Sequence, residues 1–501
     1  MSQIYLEYYR LLAKMAKDVS HSVKIDVHPT EWESSPESEC FAIDLMGHLM
    51  PKVYVQVVEI FSLPENTDVE ATIKSMVSGL EFALSQYPVL CGALRSDDSN
   101  GEMWVEKKRV STVSLYVKHM TGEDEFPSFE ELEKKDFAAN RLASSKLIPE
   151  CAIQKPMYSP LGNNEAEIPM AIFQISLIRG GLVLGLAVHH VLSDVTGCDG
   201  FLTTWAQNST SASRGEAFSP VEEPFTFKGS ALDVPKPTAE EAEKLKNAYP
   251  VIKVGTGPPS LPPADFKMPD IVCQMFHFPK SKAEALKDRL SKDVTEGWIS
   301  KYDAFLALLW SRATIARLPL LQPDLDSDVT LMHAVDTRKY WDPPLPEHFL
   351  GNGAWGARCQ PLSIKDVIAP DNIAQLATRI RASIKELSPD YLHGLLQWTA
   401  SVEDKRHFVF DHHAFMGMDF GGTSWAGMSA YEKHDFGFGC PKALRWPKPQ
   451  HDGFVFVFPS RAAQMPAAAD EGIELCVCLE KSCMERLMKD EMLLTYAEPR
   501  G

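Results

Sequence analysis

His189 and His190 close the apolar run Gly181–Val188 (GLVLGLAV), and Asp194 follows His190 by four positions. Imidazole titrates near neutrality, so it can take a proton from one group and return it to another. A buried strand that delivers it into a polar turn places it for that work. Asp194 fits two roles at this spacing, a charged partner near the histidine or a turn or N-cap residue. A zinc site is a poor match, because it asks for HExxH or a third clustered ligand. Two other short matches lack their context. Gly422–Ala426 (GTSWA) approaches the G-x-S-x-G nucleophile elbow but ends in alanine, which leaves Ser424 without a nucleophile's role. Asp435-Phe436-Gly437 repeats a kinase tripeptide without the glycine loop or the HRD loop that accompany it.

The wide pairing of two motifs carries a resemblance. His190-Val-Leu-Ser-Asp194 resembles the HxxxD motif of BAHD-family acyl-CoA-dependent acyltransferases, and Asp435-Phe-Gly-Phe-Gly439 resembles that family's DFGWG signature. Between them, HAVDTRKYWDPPLPEHFLGN resembles the family's VDxR, PPLP and GN stretch, and TSWAGMSAYEKHDFGFG its TSW-to-DFG segment. The resemblance runs from about residue 40 to 490, and within the family the chain is most similar to fungal trichothecene 3-O-acetyltransferases. It departs from the pattern at Val195, where glycine is common, at Phe438, where tryptophan is usual, and at Cys440, where lysine often follows.

The resemblance implies an α/β fold of mixed sheets in two chloramphenicol-acetyltransferase-like domains, with the active-site tunnel at their interface. It implies His190 as general base toward an acceptor hydroxyl, with direct transfer in a ternary complex and no acyl-enzyme. His189 then stands beside the site and shapes the strand end. Asp194 turns from the substrate to brace the loop, with Arg338 as its candidate partner; Arg338 pairing with Asp435 is the other arrangement the sequence allows. Thr423 and Trp425 are implied at the oxyanion and acyl site, though each also reads as part of a glycine-rich loop with one packing indole. Asp435, Gly437 and Gly439 are implied as a structural turn. Ser300, Lys301 and Ser424 are implied as contacts of the acyl-CoA co-substrate, acetyl-CoA above all, with no tightly bound cofactor and no metal. Residues 407–424 hold no lysine or arginine but include Phe408, Phe410, Phe415, Met416 and Met418. That composition favours an apolar acceptor alcohol, a terpenoid or alkaloid of secondary metabolism. Two further readings share the HHxxxD pattern: a condensation-type domain that draws acyl groups from carrier proteins, and a non-catalytic binding protein.

Several elements must position these residues. Alternation predicts strands over 22–30 and 52–62, and apolar residues 73, 76, 80 and 84 at helical spacing predict a helix stopped by Pro88. The strands AIFQISLI and LVLGLAVHH, joined by Arg179-Gly180-Gly181, read as a hairpin inside a sheet. Residues 197–205 have helical character, and 120–165 read as surface connections. In the second half, IVCQMFHFP, VTLMHAVDTR, GFVFVFP and GIELCVCLE read as strands. Helices are predicted over 281–291, from Ser300 with Asp303 three residues on as a capping pair, over 374–387, and at the C-terminus. TAEEAEKLKNAY reads as a short exposed helix.

The chain has 501 residues, 45% hydrophobic and 24% charged, which suits a soluble protein with more than one core. The predicted division is a domain over 1–225, a proline-rich crossover over 226–268, and a domain over 269–501. The net charge of −18 speaks against a nucleic-acid backbone or an anionic membrane as the main partner. Ten scattered cysteines without metal spacing fit a reduced cytoplasmic setting. The N-terminal stretch reads as a helix packed on the body, no apolar run is read as a membrane span, and a monomer is expected.

Overall fold

The computed structural model describes residues 22–152, 167–221, 232–246, 248–249, 251–255, 267–346, 349–447, 449, 451–465 and 467–501. The stretch expected to form an N-terminal helix and much of the crossover lie outside them.

Two mixed sheets carry the molecule. The first has six strands in the order Ser22–Val27, Val113–Met120, Ala171–Ile178, Gly181–His189, Tyr54–Ser62, Ala443–Arg445. Its hairpin turns at Gly180, and the strands Ala171–Ile178 and Gly181–His189 are buried along their whole length, as their unbroken apolar sequence requires. Helices Val69–Gln86 and Val195–Arg214 cover one face, through Met76, Leu80, Phe201 and Trp205. The other face is covered by Phe126, Phe129, Leu132, Phe137, Leu142, Leu147 and Ile148. The described part of 120–165 is therefore a packed layer of short helical turns, not the surface connection its sequence suggested. Its apolar residues sit on one-turn helices and on the turns between them, too short to show a 3.6-residue period.

The second sheet has seven strands, ordered Ala354–Arg358, Leu331–Asp336, Phe420–Ser424, Phe454–Phe458, Ile473–Glu480, Ile271–Phe278, Glu498–Arg500. Helix Lys301–Leu321 crosses its outer face, flanked by Lys280–Ser291 and Ile373–Glu386. Among the described residues, this helix is the one long and apolar enough to cross a membrane by length and composition. Its place explains the composition: Ala304 to Trp310 are all buried against the sheet and neighbouring helices. At its start Ser300 and Asp303 form the predicted capping box.

The halves are not separate. Cys273, Met275, Phe456, Phe458, Cys476 and Cys478, on the inner face of the second sheet, belong to the same buried cluster as Phe173, Leu184 and Trp205 of the first. After Ser424 the chain leaves the second sheet, and Ala443–Arg445 pairs antiparallel with Val58–Ile60 at the edge of the first. It then returns as strand Phe454–Phe458. Buried Arg445 donates to the carbonyls of Phe137 and Asp136 and lies 3.0 Å from Glu474, which also meets Arg461 and Arg500.

Candidate active site

Strand Gly181–His189 ends at the interface of the two halves. His189 is buried, with its ring edge-on to Tyr54 at 5.1 Å, and burial pushes its pKa down to about 3. His190 is half-buried, and its N–H donates to the Val53 carbonyl at 2.7 Å. The turn closes as Leu192 N–H donates to the His189 carbonyl. Asp194 then caps helix Val195–Arg214, its Oδ1 accepting from Gly197 N–H at 2.9 Å.

Both oxygens of Asp194 are fully engaged. Arg338 grips them in a fork, Nη2 to Oδ1 at 2.8 Å and Nη1 to Oδ2 at 3.0 Å, and Gly353 N–H donates to Oδ2 at 2.8 Å. The guanidinium also donates to the carbonyls of Phe349 and Gly351 and to Asp336. A side chain at Gly353 would run into Arg338, so glycine here is a matter of room. Burial alone would raise the Asp194 pKa, but Arg338 and the two N–H groups outweigh it and hold the carboxyl below its ordinary value. Of the two partners open to Arg338, the structure selects Asp194. Asp435 instead accepts from Gly437 and Gly439 N–H, each at 2.8 Å, in a turn where both glycines have φ near 100°. That turn is held by Thr210, whose hydroxyl donates to the Asp435 carbonyl. Thr210 lies sixteen residues beyond Asp194, about 24 Å along the helix at roughly 1.5 Å per residue.

The carbonyls of His190 and Val191 accept from the Asn352 side-chain amide at 2.9 and 3.2 Å. This leaves Asn352 Oδ1 and His190 Nδ1 buried without hydrogen bonds. Burial lowers the His190 pKa; its own carbonyl, Asp194 and Asn352 oppose the shift, and Lys52 adds to it. Lys52 donates to the carbonyls of His48 and Met50 at 2.6 and 2.9 Å, and burial brings its own pKa down to about 7. Asn352 ends the Gly351-Asn352 pair with no role implied for it, and Lys52 has no motif to mark it. Both act through main-chain carbonyls, which no side-chain pattern reveals.

Where the start of helix Val195–Arg214 meets the second sheet, a cavity of about 310 Å³ is lined by Val195, Thr196, Tyr302, Asp336, Ser424, Trp425 and Met428 among others. The fold thus brings Ser424 and Trp425 to the residues that directly follow Asp194. Trp425 is also a packing hub, stacked on Trp446 at 5.5 Å with Phe456 and Phe458 edge-on. Thr423 directly precedes Ser424 on strand Phe420–Ser424 and is half-buried opposite Phe456. Ser300 and Lys301 do not line this cavity. The Ser300 hydroxyl is bound to Asp303, and Lys301 pairs with Glu284 at 2.9 Å.

The profile of the Transferase family matches residues 33–494 of this sequence. The chain belongs to the Transferase family. Membership makes it an acyl-CoA-dependent acyltransferase. Within reach are acetyltransferase FGR3 of Gibberella zeae, 29% identical over 95% of this chain and 93% of that protein, and trichothecene 3-O-acetyltransferase TRI101 of Fusarium sporotrichioides, 25% identical over 93% and 99%. Among solved structures, TRI101 of F. sporotrichioides complexed with coenzyme A and T-2 superposes with a TM-score of 0.70, at 20% identity over 92% of this chain and 100% of that one. Vinorine synthase does so with 0.64, at 19% identity over 96% and 99%. These likenesses confirm the mixed α/β fold of the Transferase family.

Proposed function

We propose that this protein transfers an acetyl group from acetyl-CoA to a hydroxyl of an apolar small-molecule acceptor, with His190 as general base. The observation that carries the proposal is a half-buried imidazole, biased toward its neutral form, on a loop locked by the Asp194–Arg338 fork beside an interdomain cavity. A neutral alcohol is a weak nucleophile, so His190 takes its proton as the oxygen attacks the thioester carbonyl. The carbonyl oxygen becomes an oxyanion, for which Thr423 and Trp425 are the candidate surroundings. Collapse of the tetrahedral intermediate breaks the C–S bond, and the imidazolium returns its proton to the departing thiolate of CoA. No acyl-enzyme forms.

Asp194 serves by position, because its oxygens are spent on Arg338, Gly197 and Gly353. Ser424, on the cavity wall, and Ser300 and Lys301 at the start of helix Lys301–Leu321 are the proposed contacts of the CoA moiety. The apolar acceptor is supported by a relative named for acetylating a trichothecene. The test incubates the enzyme with a panel of acyl-CoAs and candidate alcohols under mass spectrometry. Acetyl esters should form with wild type, and His190→Ala should lose about a thousandfold in kcat/KM. Transfer only from a carrier-bound thioester, or full activity in His190→Ala, would refute it.

A further inference from the structure

Trp298 is among the most exposed large apolar side chains described, 59% accessible, directly before the long core helix. Scattered apolar residues on a surface need no explanation. This one has company. The guanidinium of Arg381 lies over its ring at 4.2 Å and is held there by two hydrogen bonds, from Nε and Nη2, to Asp303 Oδ2. Asp303 is fully buried and also closes the capping box with Ser300, so the platform is tied to the first turn of helix Lys301–Leu321. Gly297, with φ of 77° and open space around it, turns the chain so that the indole stands outward. One turn along helix Ile373–Glu386 from Arg381 is Ile384, and four residues beyond Trp298 is Tyr302; both line the interdomain cavity. The platform thus lies within about one helical turn of two residues of the cavity wall. A cation on one side leaves the rest of the ring free to stack, and the positive end of a 21-residue helix favours phosphate beside it.

The geometry points to Trp298, backed by Arg381, as the platform on which the adenine ring of the acyl donor stacks. The inference rests on the acyl-CoA reading and adds the residue that grips the nucleotide end, which takes no part in the chemistry. Half-exposed Lys301, paired with equally accessible Glu284, is the cation beside the phosphates.

Calorimetric titration of coenzyme A and of 4′-phosphopantetheine, which lacks the nucleotide, into wild type, Trp298→Ala and Trp298→Phe tests it. Trp298→Ala should bind coenzyme A about tenfold more weakly, as expected for the loss of one base stack. Trp298→Phe should bind it almost as wild type does. Affinity for 4′-phosphopantetheine and the thermal midpoint should be the same in all three. Unchanged coenzyme A affinity in Trp298→Ala, or equal loss for both ligands, overturns the platform while leaving the acyl-CoA reading intact. A wild-type protein that binds no coenzyme A overturns both.

Discussion

Arg338 and Asp194 form a buried pair, with Asp336 as a further carboxylate partner of the guanidinium. Removing the cation leaves a carboxylate in a low-dielectric interior, which typically costs about 3–5 kcal/mol. Arg338→Met should lower stability by roughly that amount in chemical denaturation and should abolish measurable acetylation. Arg338→Lys should rescue little of either, since a point charge cannot fork onto both oxygens. Lys52 has a different signature. Burial lowers the His190 pKa and the Lys52 charge adds to it; the proposed general base works only when neutral, so wild-type activity should persist below the ordinary titration range of histidine. Lys52→Met removes that charge, so the acid limb of kcat/KM against pH should move toward higher pH. An unmoved limb would show that the two side chains do not communicate.

At the scale of elements, the turn Asp435–Gly439 is secured by a second buried histidine. His434 Nδ1 lies 2.5 Å from Glu59 and Nε2 lies 3.3 Å from Asp199, which joins the first sheet, helix Val195–Arg214 and the returning chain. Burial opposes protonation there, but the two carboxylates win and raise the His434 pKa to about 10. The folded pKa exceeds the unfolded one, so this contribution is full below about pH 6.5 and lost as pH rises through about 10. His434→Gln should flatten the alkaline fall in the thermal midpoint between those values. The elements themselves were mostly legible. Period-two and period-3.6 patterns located the hairpin, the capped core helix and the main strands. The packed layer over 126–148 was not, nor were Ala443–Arg445 and Glu498–Arg500, because segments of three to five residues carry too few positions to show a period. The site divides the same way: His190, Asp194 and Arg338 announced themselves through motifs, whereas Asn352 and Lys52 became meaningful only when folding brought their amide and amine to main-chain carbonyls.

For the whole molecule, the shared core argues that the halves fold as one cooperative unit. Residues 1–225 expressed alone would lack the edge strand Ala443–Arg445 and leave Val57, Phe61 and Leu186 short of their neighbours from the other half. Such a fragment should bind a hydrophobic dye and melt without a cooperative transition, whereas the full chain should unfold in one step by far-UV and near-UV circular dichroism. Two independent transitions in the full chain would refute this.

The strand Ala443–Arg445 also works as a strap. Because a single chain leaves one half, is stitched into the other and returns, the interface cannot gape like a clamshell without tearing a sheet edge and the Arg445 ion network. The two halves should then move as one body, and the radius of gyration in solution scattering should stay constant as coenzyme A comes and goes.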